Sequence, residues 1–298
     1  MAFAGNRVPI KNLDLETSSD PGSTTGLVVG STGPTRTLYL DGNQVGSGDT
    51  PTLQEVTDTG NVTSNVTQFS AEPVSLSVSG GIESGSNVII GSGAGFTGGG
   101  ADRIAIGSRS GKVGQGNSSV AIGSGAGYLM QQGSSVAIGL NTGFSTQNDS
   151  AVAIGLNAGH ISQGSSSVAI GSSAGNYDQN TDAVAIGSNA GQTNQLYSAV
   201  AIGSNAGQTI QGSNSTAIGS SAGQTNQGPS AVAIGDFAGN SMQNQGAVAI
   251  GSGAGNSGQQ VGAVSVGLEA GHTTQGSSAV AIGLNAGNSG QNTDAIAI

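Results

Sequence analysis

The chain has 298 residues, with Gly at 55, aromatics at 3%, charged residues at 7%, no Cys and a net charge of -10. That composition lacks the bulk for a rounded enzyme core, and it excludes a disulfide framework and a thiolate metal site. No run of eighteen apolar residues occurs, which excludes a membrane-spanning helix, and the last basic residue is Lys112, which makes nucleic acid a poor partner.

In chain order, residues 1–35 carry no strong period and are punctuated by SSDPGSTTG at 18–26, so they read as a tether or particle-attachment segment. For residues 1–16 a frayed terminus is the equal alternative. Residues 36–86 read as a small β-rich collar. Segments 37–40 and 44–45 flank Asp41-Gly42-Asn43, and Asp-Gly tolerates the positive φ that tight hairpin turns demand. Residues 52–69, TLQEVTDTGNVTSNVTQF, alternate Thr and Val around a turn and predict a second short β element. This stretch resembles the "LQxVTDxGNxT" run that introduces the shaft in fibre and tail proteins of phages and large DNA viruses. Residues 74–78 then alternate with period two before Gly80-Gly81 turns the chain.

From Asn87 a sixteen-residue unit runs thirteen times and breaks off at Ile298, four residues into another. Position nine is always Gly, from Gly95 to Gly287. Position thirteen is Gln115, Gln131, Gln147, Gln163, Gln179, Gln195, Gln211, Gln227, Gln243, Gln259, Gln275 and Gln291, with Gly99 the one exception. A fixed period of this length predicts an all-β parallel β-roll or β-solenoid over 87–298, one rung per repeat. Positions one to four, typically Ala-Val-Ala-Ile, alternate as a strand does. The expectation drawn here puts Val and Ile on the inner face and leaves the Ala face as a smooth strip that meets sister chains, which predicts a homotrimer. Gly or Asn at position fourteen predicts a left-handed turn, and the Gln column an axial amide ladder. A terminal rung of ordinary sequence predicts either more chain beyond Ile298 or another protein over that end.

The unit is similar to the head repeats of YadA-like trimeric autotransporter adhesins, on the strength of SVAIGSGAG at 119–127 and SVAIG at 135–139. The resemblance implies a trimeric parallel β-roll exposed as an adhesive head. The rung here is two residues longer and carries a Gln that the family lacks, and no signal peptide, stalk or membrane barrel accompanies it. A fibre without export signals suits a particle assembled inside a cell and released by lysis. The expected protein is therefore a virion fibre or spike, attached to other virion proteins through its amino-terminal region and presenting the roll to a host glycan or protein, or decorating the surface. The alternative is a bacterial cell-surface adhesin fragment. An ice-binding solenoid is a further alternative that the irregular position eleven disfavours.

Chemistry is sparse. His160 and His272 share position ten but lie seven rungs apart. Asp102, Asp182 and Asp294 share position sixteen without adjacency, so they make no acid and base pair. Residues 91–95, GSGAG, lack the Lys of a phosphate loop. The expectation is no enzyme, no metal and no cofactor. Phe96, Tyr128 and Phe144, all at position ten, form the candidate surface-binding patch, with packing against a sister chain or the collar as the alternative. Leu140 with Leu156, and Leu268 with Leu284, read as stacked contacts.

Overall fold

A computed structural model describes residues 27–31, 36–40, 43–44 and 87–298. In the amino-terminal unit, β1 (Leu27–Ser31) pairs antiparallel with β2 (Arg36–Leu40), and β2 pairs with β3 (Asn43–Gln44) across Asp41-Gly42. The hairpin lies where Asp-Gly places it. β1, by contrast, is a strand inside the stretch read as a tether. The expectations for residues 1–16, 52–69 and 74–78 lie outside the described residues.

The repeat unit, described by itself, is a parallel β-solenoid of about thirteen rungs. Each rung contributes positions two to four to one sheet, which has fourteen strands from Val88–Ile90 to Ile296–Ala297. Positions eleven to thirteen build a second sheet of eleven strands, from Leu129–Gln131 to Ser289–Gln291, and single bridges carry it back through Val113 to Thr97. Register is exact at sixteen residues: Val152 faces Val168 and Gln163 faces Gln179. With strands about 4.8 Å apart, thirteen rungs give a rod of roughly 60 Å.

The inside of the coil is the reverse of the sequence expectation. Ala153, Ala169, Ala185 and Ala201 at position three are fully buried, as are the position-one residues Ala151, Ala183 and Ala199. The position-three alanines cluster with Ala158, Ala174, Ala190 and Ala206 of position eight, their methyls forming one continuous core from Ala153 to Ala254. The branched residues point outward: Ile154, Ile186, Ile202, Ile218, Ile234 and Ile250 are each 36–38% exposed. Alternation separates two faces but does not say which one is inner. A sixteen-residue turn brings its two sheets so close that only methyl-sized side chains and one amide fit between them.

That amide is Gln. All glutamines of position thirteen from Gln115 to Gln275 are buried in the coil. In the middle of the rod, Nε2 of Gln195 donates to the carbonyl oxygen of Val184 at 2.8 Å, to that of Ala199 at 3.1 Å and to Oε1 of Gln211 at 3.0 Å. From Gln131 to Gln291 each Nε2 donates to the next Oε1 at 3.0–3.3 Å. One side chain thus ties its own rung to the neighbouring one and satisfies an interior that would otherwise hold unpaired polar atoms. The break at Gly99 has a partner elsewhere: a Cβ there would overlap the Arg103 guanidinium, which occupies the interior in place of an amide and donates Nη2 to the Gly95 carbonyl oxygen at 3.4 Å.

Left-handed backbone occurs at other positions than expected, in two turns and in the middle of the second-sheet strands. Position seven (Asn157, Asn189, Asn205, Asn285), position twelve (Asn194, Asn226, Met242) and position sixteen (Ser166, Asp182, Ser198) all have φ of 53–59°. Asn180 and Asn244 at position fourteen are not left-handed. They are chosen for a hydrogen bond, since each Nδ2 donates at 3.2 Å to a carbonyl oxygen of the next rung, that of Gln195 or Gln259. Position five needs glycine twice over: Gly203 has φ of 131°, and a Cβ on it would lie 2.5 Å from the Gly219 carbonyl oxygen.

Candidate functional site

Because every rung repeats the same backbone about 4.8 Å further along, residues sharing a position form a column at that spacing. Position ten changes character along the rod. It runs Phe96, Lys112, Tyr128, Phe144, His160, then Asn176, Gln192, Gln208 and Gln224. The amide part links side chain to side chain, Gln224 to Gln208 at 3.0 Å and Gln208 to Gln192 at 3.2 Å. The first part is aromatic and cationic. Tyr128 and Phe144 stack with centroids 4.7 Å apart and planes 3° apart, and Phe144 stacks on His160 at 5.1 Å and 17°. Tyr177, at position eleven, closes the column edge-on to His160 at 6.3 Å.

Two of the three predicted aromatics are therefore brought together, with their flat faces spent on each other. Phe96 is 72% exposed and separated from the stack by Lys112. Lys112 covers the outer end: Nζ lies 4.9 Å from the Tyr128 centroid and donates to the Tyr128 hydroxyl at 3.0 Å. This hydrogen bond and the ammonium charge hold the Tyr128 phenol below its ordinary range, and Arg109 adds to the effect. No carboxylate among the described residues forms an ion pair with Arg109 or Lys112. His160 is half-buried, its Nδ1 lacks a partner, and burial holds its pKa below 6.5.

A shallow cavity of about 140 Å³ opens beside the stack, lined by Arg109, Ser124, Gly125, Tyr128, Asn141 and Phe144. Arg109 and Asn141 reach it from left-handed turn positions, with φ of 56° and 51°. Gly125 leaves room for its neighbour, since a Cβ there would lie 2.6 Å from Asn141 Oδ1. One cation, Arg109, thus shares the concavity with a hydroxyl, an amide and two rings, and Lys112 stands beside it on the Tyr128 hydroxyl. Sequence reasoning found the rings but missed Arg109, Lys112 and Asn141. Lys112 was legible as the position-ten residue between Phe96 and Tyr128, and Arg109 as one of only three basic residues in the repeat region, with Arg103 and Lys112.

Asp102, Asp182 and Asp294 sit at left-handed turns with φ of 57–59°. Leu140, Leu156, Leu268 and Leu284 are exposed. The position-thirteen glutamines from Gln115 to Gln275 lie inside the coil, and Gln291 in the last rung is half-buried. No family model, curated protein or solved structure matches this chain.

Proposed function

We propose that the chain is the rigid projecting part of a virion fibre or spike, assembled as a homotrimer and serving attachment to a host surface without catalysis. The observation that carries this reading is the outward Val and Ile face. Val152, Val168, Val184 and Val200 with Ile154, Ile170, Ile186 and Ile202 form an apolar stripe that the coil cannot bury within itself. A stripe repeating every rung is matched in length and spacing by the same stripe on another copy, and contiguous exposed apolar surface of this kind marks an interface. The sister-chain argument therefore moves from the Ala face, which is interior, to the Val and Ile face. The nearly uncharged interior, its amides bonded rung to rung from Gln131 onward, suits a rod whose task is reach and stiffness.

Light scattering on the purified chain at several concentrations tests the assembly. A mass of three chains is expected, and Ile186→Glu with Ile202→Glu is expected to lower it. A folded monomer with the native sequence overturns the trimer. Immunogold labelling of purified particles tests the location, and label absent from every particle surface overturns the virion reading.

A further inference from the structure

The geometry points to the concavity beside Tyr128 as a binding site for an acidic saccharide, held through the carboxylate of a uronic or sialic acid residue. The inference takes its biological setting from the attachment reading, while its binding chemistry depends only on rungs two to four. All three basic residues of 87–298 lie between positions 103 and 112, on a chain of net charge -10. Arg103 is interior; Arg109 is exposed and Lys112 half-buried, and both act on the Tyr128 phenol. A neutral phenol cannot balance two cations, and no described carboxylate does so.

The chemistry around these cations selects the class of anion. The Arg109 guanidinium offers the paired N–H groups that match a planar carboxylate. Lys112 supplies a second charge that is already oriented by its bond to the Tyr128 hydroxyl. Ser124 and Asn141, which line the cavity with Arg109, offer a hydroxyl and an amide to ring hydroxyls. The stacked rings present edges, so the apolar C–H face of a sugar can lie against them without competing for the spent faces. A bare inorganic anion would leave Ser124, Asn141 and the ring edges unused. A neutral sugar would leave the Arg109 guanidinium, the one cation on the lining, unanswered.

Saturation-transfer NMR on the full chain compares methyl glucuronide with methyl glucoside, each with and without an equal concentration of inorganic phosphate at constant ionic strength. Transfer to the glucuronide alone is expected, persisting in phosphate and weakening as ionic strength rises. Arg109→Asn keeps a residue that tolerates the left-handed backbone, and it is expected to weaken glucuronide binding about tenfold or more. Lys112→Gln should act in the same direction by a smaller factor. Both variants should retain the circular dichroism and native mass of the parent. Equal transfer to both glycosides, displacement by phosphate at equal concentration, or unchanged binding in a folded Arg109→Asn variant would each overturn the site. None of these results depends on chain number or on particle location, so the site can fail while the fibre stands, and the reverse.

Discussion

Replacing Gln163 by Leu tests whether the buried amides hold the rungs together. Leu keeps most of the volume and removes the amide. The lost bonds are those from Nε2 to the Val152 carbonyl oxygen at 2.9 Å, to the Ser167 carbonyl oxygen at 3.5 Å and to Gln179 Oε1 at 3.3 Å, and the one accepted from Gln147 Nε2 at 3.0 Å. Gln147 keeps two backbone acceptors, on Val136 and Ala151, so its loss is about 0.5–1 kcal/mol. Gln179 Oε1 loses the one donor the ladder gives it and becomes a buried orphan, at about 1–3 kcal/mol. Gln115 supplies the internal control. It makes the equivalent bond to the Ile104 carbonyl oxygen at 2.8 Å, yet its Oε1 and that of Gln131 already lack partners. Gln115→Leu therefore breaks no amide-to-amide bond and removes an unpaired oxygen. The difference between the two variants should be about 3 kcal/mol, larger for Gln163. Denaturant midpoints give the global cost, and native-state hydrogen exchange of the mutated rung separates it from fraying near the first rungs. Equal costs within about 0.5 kcal/mol would refute the view that rung-to-rung amide bonds carry the effect.

Three further outcomes follow from single positions. His160 has a folded pKa below 6.5, so the unfolded chain binds more protons in that range. Its contribution to stability should be full above pH 6.5 and lost as pH falls through that value toward the folded pKa, a trend that denaturant midpoints should reveal and His160→Phe should abolish. Ile210 is a β-branched residue at φ 53° between Asn194 and Asn226 in its column, and it is 46% exposed. Ile210→Asn should raise stability by about 1 kcal/mol, read as a higher thermal midpoint. Gly203→Ala should destabilise by more than about 3 kcal/mol, while Gly246→Ala, at φ 65° with nothing within 4 Å of its Cβ, should cost only about 1 kcal/mol.

The period made the architecture readable before any coordinates, because sixteen-residue spacing of Ile and Gly admits one rung per repeat. What it hid was direction. Val200 and Ile202 look like core residues, and Ala201 looks too small for one. Only the closeness of the two sheets, set by turns at positions five, seven and nine, makes Ala201 the inner residue. The pairing of an almost invariant Gln with Ala was the available signal, since a wide apolar interior would exclude an amide while a narrow one with backbone carbonyls within reach would recruit it. The candidate site was half visible. Phe96, Tyr128 and Phe144 shared a position, but column geometry turned two of them into a self-stacked pair. Arg109 entered through a turn whose left-handed φ the sequence assigned elsewhere.

The amide ladder also has a sense of direction. From Gln131 onward each amide-to-amide bond runs from an N–H to the Oε1 of the next rung, so the individual dipoles add along the axis, as peptide dipoles do in a helix. The unpaired oxygens of Gln115 and Gln131 lie at its negative pole. There the amide column gives way at Gly99 to Arg103, the one interior cation among the described residues, which stands where a lysine or arginine would stand at a helix carboxyl terminus. The rod is thus electrically polar, with two unlike ends. Copies laid side by side in parallel repel one another weakly along the whole length, so parallel assembly must draw on the apolar stripe.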